Sequence, residues 1–426
     1  MQFIDKPEKE NWTSIMERPS HDNSLVMESC RNILSEVKNS GDAAIRSFTK
    51  KFDGIELDQL EISPTDIASA HADIPGSLKS AITSAKNNIE RFHSGQQIAE
   101  AIVETMPGVH CWRKNVGIDK VGLYIPGGTA PLFSTVLMLG IPAHLAGCKE
   151  IILCSPAGAN SKIHPAILYA ADLVGISRIF AAGGAQAIAA MAYGTETIPA
   201  VNKIFGPGNQ YVTAAKQLVQ MDGVAIDMPA GPSELLVLAD ETADPSFVAA
   251  DLLSQAEHGY DSQVLFVSLS RDMIIAVDNE LNRQLATLPR KEVAMKALQN
   301  SRSVFFNDAE RAMEFINDYA PEHLVIACKN ARQLADQVRN AGSVFIGNYA
   351  PESAGDYASG TNHTLPTNGF AKAYSGVSLD SFVKKITFQE ISRQGLEDIS
   401  STIITMAEAE GLMGHANAVK LRTSKN

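Results

Sequence analysis

VGLYIP (121–126), PLFSTVLMLGIPAHLAG (131–147), EIILCSP (150–156), HPAILYAADLVG (164–175), RIFAAGG (178–184) and AQAIAAMAYG (185–194) follow one another with little between them. Short apolar runs alternate with Ala-rich stretches of helical length, the pattern of buried parallel strands joined by crossover helices. A second alternation begins at ELLVLAD (Glu234–Asp240). It runs through a helix at 246–258, VLFVSLS (264–270), a helical stretch at 273–288, SVFF (303–306), HLVIA (323–327) and SVFIG (343–347). Upstream, apolar residues recur at helical spacing in 25–37 and 81–92; downstream, EDISSTIITMAEAEGLM (397–413) is the most periodic part of a tail that reads as helical from Ser378 onward. The expected class is α/β: two incomplete Rossmann-like doubly wound units, a helical N-terminal segment and a small C-terminal domain. The expected division is an N-terminal helical arm 1–22, a discontinuous first α/β domain 23–123 plus 234–376, a second α/β domain 124–233, and a C-terminal domain 377–426.

A length of 426 residues fits about two to four units. Apolar content of 45% and charged content of 20% are those of a folded globular chain. A formal net charge of −12 argues against nucleic acid, whose phosphates are bound by Lys and Arg. The N-terminus MQFIDKPEKENW carries charges where a signal peptide needs an apolar run, and the longest apolar stretch is broken by Gly140 and Pro142. Five scattered cysteines, none in a CxxC pair, fit neither a disulfide framework nor a thiolate zinc cluster. A cytoplasmic protein without membrane or nucleic-acid partners is expected.

Three Gly-rich loops follow expected strands: YIPGGTAP (124–131), AAGGAQAIA (181–189) and FGPGNQY (205–211). Glycines there permit tight turns and let helix N-terminal N–H groups approach a phosphate. None spells GxGxxG and no P-loop lysine follows, so each reads equally as a structural turn or a ligand cradle.

Of ten histidines, four lie beyond residue 164, each among acids and small residues. Gln255 stands three residues before His258 and shares its helix face. His363 lies in an expected loop, PESAGDYASGTNH, that is rich in small residues and also holds Glu352 and Asp356, and His415 follows Glu408 and Glu410. Imidazole and carboxylate oxygen together suit zinc, although HExxH is absent. Glu322–His323 suggests acid–base chemistry, but strand neighbours point to opposite faces, so joint action requires an irregular strand start. The alternative is a connector with two exposed polar residues. Cys154 or Cys148 could in principle hold an aldehyde as a thiohemiacetal; buried, inert thiols are the better reading.

AIDMPAGPSELLVLAD (225–240) followed by DLLSQAEHGYDS (251–262) resembles the signature region of the histidinol dehydrogenases. YIPGGTAPLFSTVLM, GPGNQYV, APEHL, ESAGDYASGTNHTLPT and EGLMGHANAVKLR resemble further blocks of that family in the same order, spanning about residues 110 to 422. The resemblance implies oxidation of L-histidinol to L-histidine, with one Zn2+ per subunit and NAD as cosubstrate. It implies zinc ligands Gln255, His258, Asp356 and His415, and catalytic bases Glu322 and His323. Histidinol contacts would be Ser233, the four zinc ligands, His323, His363 and Glu410; NAD contacts would be Tyr124, Gln186 and Asn209. It further implies an intertwined homodimer in which Glu410 and His415 complete the site of the other subunit. Gly414 and Asn368 depart from residues usual in the family without touching a proposed ligand. The missing dinucleotide fingerprint suits a cosubstrate exchanged twice per cycle.

Overall fold

The computed structural model describes residues 1–19, 24–97, 99, 101–127, 131–158 and 161–424. The chain starts as strand β1 (Gln2–Asp5), then forms helices Ser24–Asp53, Pro64–Ala70 and Gly76–Ser94 and the hairpin β2 (Val103–Met106) and β3 (Val109–Gly117). Strands β4 (Lys120–Tyr124), β5 (Glu150–Ser155), β6 (Arg178–Ala181), β7 (Lys203–Phe205) and β8 (Ala225–Ile226) make a parallel sheet in the order β6-β5-β4-β7-β8. Strands β9 (Glu234–Ala239), β10 (Gln263–Ser268), β11 (Arg302–Phe305), β12 (His323–Ala327) and β13 (Ser343–Ile346) make a second one, ordered β11-β10-β9-β12-β13, with β1 added beside β11. Each set of five has the 3-2-1-4-5 order of a dinucleotide-binding sheet without its sixth strand. Two incomplete doubly wound units are therefore present, as the apolar runs suggest. β9 and β12 are buried at every position because helices cover both faces of their sheet.

The unit boundaries differ from those expected. Val26, Cys30, Ile33, Leu34, Val37, Ile82 and Ile89 share one core with the five-stranded sheet, so the helices of 24–94 pack with residues 120–228 rather than with 234–346. β4 also belongs wholly to that sheet. A kink fixes this packing. Gly41 takes φ +52°, and a Cβ there would lie 2.2 Å from Glu196 Oε2. The next amide, Asp42 N–H, donates to that carboxylate at 2.7 Å, and the Asp42 carboxylate accepts from Thr197. The long helix is thereby pinned to the loop that follows helix Gly184–Tyr193.

The N-terminal segment is not a helical arm. Its four-residue β1 closes the edge of the six-stranded sheet, and its helical part is two short turns, Lys9–Asn11 and Trp12–Ile15. Trp12 is buried edge-on against Phe306 and Phe315 at 6.0 and 5.4 Å. The tail after Ser378 departs from the expected helix after a single 3-10 turn, Leu379–Phe382. Strand β14 (Val383–Ile391) pairs antiparallel with all of β3, and only then do helices Arg393–Ala409 and Met413–Thr423 follow. VKKITFQEI is mostly exposed, so it lacks the one-sided apolar pattern that marks a strand, and its cross-strand pairing with β3, including the Trp112–Phe388 stack at 5.5 Å, decides the outcome.

Phe382, fully buried at the start of this segment, stacks on Phe205 at 4.0 Å and ties the tail to the five-stranded sheet. Phe382→Ala should cost about 3–5 kcal/mol, read as a lower urea midpoint; an unchanged midpoint would show that this stack does not anchor the tail.

Candidate active site

β12 starts late enough to free Glu322. Helix Ala309–Tyr319 ends on Ala320 at φ +55°, Pro321 follows, and the ladder begins only at His323, paired with Leu235 of β9. Gly342 passes so close that a Cβ would lie 2.5 Å from the Glu322 carbonyl, which accepts from Ser343 N–H at 2.9 Å. The irregular start turns the Glu322 side chain toward β9, where its carboxylate accepts the Glu234 N–H at 2.9 Å. The Glu234 carboxylate is itself neutralised by Arg18, Nη2 to Oε1 3.0 Å, whose guanidinium lies 4.0 Å over the Tyr319 ring.

Glu322 and His323 are 5% and 4% exposed, so they are not an exposed connector. Three acids surround the imidazole: Nδ1 is 3.7 Å from Glu322 and 3.5 Å from Glu352, and Nε2 is 3.6 Å from Asp356. These spacings are ion pairs rather than hydrogen bonds, and both ring nitrogens lack a hydrogen-bond partner. Burial pushes the Glu322 carboxyl up to about 7 against the opposing pull of His323. Burial likewise raises Glu352. For His323 burial works the other way, but Glu322, Glu352 and Asp356 outweigh it and hold the imidazolium up to about 10. Asp356 is kept below the usual carboxylate range by His323, despite burial. Negative charge crowded around one histidine favours a cation.

The helix Pro245–Ala256 ends at this cluster. Gln255 in its last turn is wholly buried, yet neither end of its amide has a partner. An orphaned buried amide needs a ligand. Ser254 Oγ reaches Glu352 at 3.4 Å, which places the helix end beside helix Glu352–Tyr357. His258, one turn on and exposed, feels the charges of both Asp356 and His323. One atom each from His323, Glu352 and Asp356 lie within 4.8 Å of one another, close enough for one metal ion. Gln255 Oε1 with these imidazoles and carboxylates is an N/O donor set suited to zinc.

The histidinol dehydrogenase family model matches residues 16–423. The chain belongs to the histidinol dehydrogenase family. A histidinol dehydrogenase of Bacteroides thetaiotaomicron is 58% identical over 422 residues, 99% of this chain and 99% of its own. One from Salmonella typhimurium is 50% identical over 97% of this chain and 95% of its own. The crystal structure of histidinol dehydrogenase from Elizabethkingia anophelis shares 52% identity at a TM-score of 0.97, covering 99% of this chain and 98% of that one.

The residues expected from the histidinol dehydrogenase resemblance fall into three places. Glu322, His323, Gln255, His258 and Asp356 gather at the amino edge of the six-stranded sheet, and half-buried Ser233 stands there beside Glu234 at the start of β9. His363 adjoins them with both nitrogens engaged. Burial lowers its pKa, so the ring is neutral; Nδ1–H donates to the Asp356 carbonyl at 2.9 Å, and Nε2 accepts from Thr135 Oγ1 at 3.0 Å. Its neighbour Asn362 donates to the Met138 carbonyl at 2.6 Å, so this loop is stitched to helix Phe133–Leu145.

Glu410 and His415 lie apart from the cluster, exposed between and on the last two helices. Tyr124, Gln186 and Asn209 mark the carboxyl edge of the five-stranded sheet. Tyr124 and Gln186 are buried, with Tyr124 Oη accepting from Gly184 N–H at 3.0 Å; Asn209 is exposed and caps the next helix through Tyr211 and Val212. Residues 128–130 of the first glycine loop lie outside the described residues. All five cysteines are free; burial raises Cys30 and Cys148 to about 11 and Cys328 to about 12, and Cys154 further still, which leaves little thiolate for aldehyde capture.

Glu352 and Asp251 also stand at this cluster, although the sequence assigns neither a role. The i,i+4 spacing of Glu352 and Asp356 was the available signal. Burial pushes Asp251 up to about 7, against a hydrogen bond from the Glu352 N–H. An acid with a raised folded-state pKa holds its proton while the unfolded chain ionises, so stability falls as pH rises from about 4 to about 7. Asp251→Asn keeps an acceptor without that loss. Its urea midpoint should exceed the parent's near about pH 8 and match it near about pH 4; no gain at the higher pH would contradict the burial argument.

Proposed function

We propose that the protein oxidises L-histidinol to L-histidine through histidinal, in two successive hydride transfers to NAD, the last step of histidine biosynthesis. The observation that carries this reading is the unpartnered Gln255 amide beside the His323–Glu322 pair, in a chain of this family. Gln255, His258 and Asp356, with His415 of the partner subunit, would hold one Zn2+. When bound, the metal supplies a Lewis-acid anchor that fixes the imidazole and amine of histidinol. Ser233 and Glu410 of the partner subunit would complete the substrate contacts. His363 supports them from behind, since its nitrogens already hold Asp356 and Thr135.

With the acids that hold it protonated offset by the charge of a bound Zn2+, His323 takes the hydroxyl proton on its neutral imidazole as the alcohol carbon gives its hydride to NAD, leaving the aldehyde. Glu322, poised near neutrality by burial, takes a proton from water as it adds to the aldehyde, while His323 returns its proton to the aldehyde oxygen; His323, neutral again, then takes the hydrate's hydroxyl proton during the second hydride transfer. Both bases are closed off from bulk solvent, which suits retention of a reactive aldehyde. NAD binds along the loops at Tyr124, Gln186 and Asn209, by the geometry of doubly wound sheets, whose ligands lie outside the carboxyl ends of the strands. The exposed Met406, Leu412, Met413 and Leu421 of the last two helices fit burial by a second copy of the chain, which brings Glu410 and His415 to the other site.

Two NADH should form per histidinol consumed; one would reduce the activity to a simple alcohol oxidation. Glu322→Gln should spare the first oxidation more than the second, by about tenfold or more, in single-turnover assays started from histidinol and from histidinal. Equal losses would remove the division of labour. Dialysis against a chelator should abolish turnover and added Zn2+ restore it, whereas full turnover of metal-free protein would sink the metal assignment.

A further inference from the structure

Lys216 and Asp227 form an ion pair almost wholly withdrawn from water, 6% and 1% exposed at their side chains, in a part of the chain to which no step of the chemistry extends. Such a pair gives little stability over apolar residues of the same volume, because desolvation offsets the attraction. Both members grip one peptide segment. Gly206 N–H donates to Asp227 Oδ2 at 2.8 Å, and Lys216 Nζ donates to the Gly206 carbonyl at 2.9 Å. Asp227 Oδ1 also accepts from Met228 N–H at 2.8 Å.

Gly206 lies where the strand order of the five-stranded sheet reverses. β4 has β5 on one side and β7 on the other, so the crevice between the carboxyl ends of β4 and β7 is the switch point of this sheet. Gly206 follows β7 directly at φ +128°, and a Cβ on it would lie 2.0 Å from the Tyr124 carbonyl oxygen at the end of β4. Two residues on, Gly208 is equally crowded, 2.4 Å from Val212, and Asn209 opens the helix Gln210–Met221. The loop therefore passes over the crevice in one conformation. The ion pair draws its carbonyl inward and away from any approaching phosphate, a task that the absent GxGxxG loop performs elsewhere with glycines alone.

We propose that Lys216 and Asp227 are positioning residues that preset the 205–209 loop for the pyrophosphate of NAD. The proposal rests on the reading of this loop as the nucleotide site. Asp227 also faces Lys203, so Lys216→Met leaves the carboxylate with a second cation and a path to a folded protein. In Lys216→Met the KM for NAD should rise about tenfold, while the KM for histidinol, the bound zinc and kcat at saturating NAD stay within about twofold of the parent. If the single variant does not accumulate folded, Lys216→Met/Asp227→Asn, which removes both charges, should show the same split. A lower melting temperature or kcat with an unchanged KM for NAD would overturn the proposal, as would parallel rises for both substrates. Asn209→Ala separates the two levels. If it raises the KM for NAD and the lysine variants do not, the ion-pair assignment fails alone; if it too leaves that KM unchanged, the loop is not the nucleotide site and both readings fall.

Discussion

β9 and β12 lie side by side in register, His323 against Leu235, and the amide one residue earlier, Glu234 N–H, binds the Glu322 carboxylate. A buried carboxylate needs donors, and this backbone N–H is a fixed one that no side-chain motion can withdraw. Because the pairing also holds His323 within the acids of helix Glu352–Tyr357, one strand contact sets the separation of the Glu322 and His323 side chains. Arg18 acts one layer out. By neutralising Glu234 it prevents a second unmatched carboxylate from lying beside Glu322.

The site lies at the amino edge of its sheet, opposite to the edge used by most doubly wound folds, whereas the glycine loops of the other sheet lie at the usual carboxyl edge. The unusual placement follows from helix direction. Pro245–Ala256 runs antiparallel to β9, so its last turn, with Gln255 and then His258, returns to the strand starts. Charged and potential metal-ligating side chains collect there because strand starts and helix ends converge. The Thr135–His363 and Met138–Asn362 contacts connect this edge with the helix that follows the first glycine loop.

The continuous apolar runs made both parallel sheets legible, since strands covered on both faces need no alternation. β1 and β14 were not legible. QFID is four residues long, and VKKITFQEI shows no buried face, so each owes its conformation to a partner strand distant in sequence. In the sequence, helical spacing puts Gln255 on one face with His258, while a ligand role for the pair comes only from the family resemblance. The approach of the Glu322 and His323 side chains to one another could not be read there, because it depends on the irregular stretch from Ala320 to Glu322 and on Gly342 passing close by. Glu352 carried only an i,i+4 spacing to Asp356, and nothing in the sequence marks Lys216 and Asp227 as neighbours. The expected helical arm and the expected grouping of 23–123 with 234–376 misjudged which sheet each N-terminal element joins, a choice that periodicity does not encode.

Because β1 pairs with β11, this strand waits for the synthesis of residues 302–305 before it has a partner. At about 5–20 residues per second this is a delay of roughly 15–60 s, during which the five-stranded sheet, complete by Ile226, can already form. Synthesis thus imposes an assembly order on the two units. Trp12 spends that interval without Phe306 and Phe315, the two rings that later enclose it.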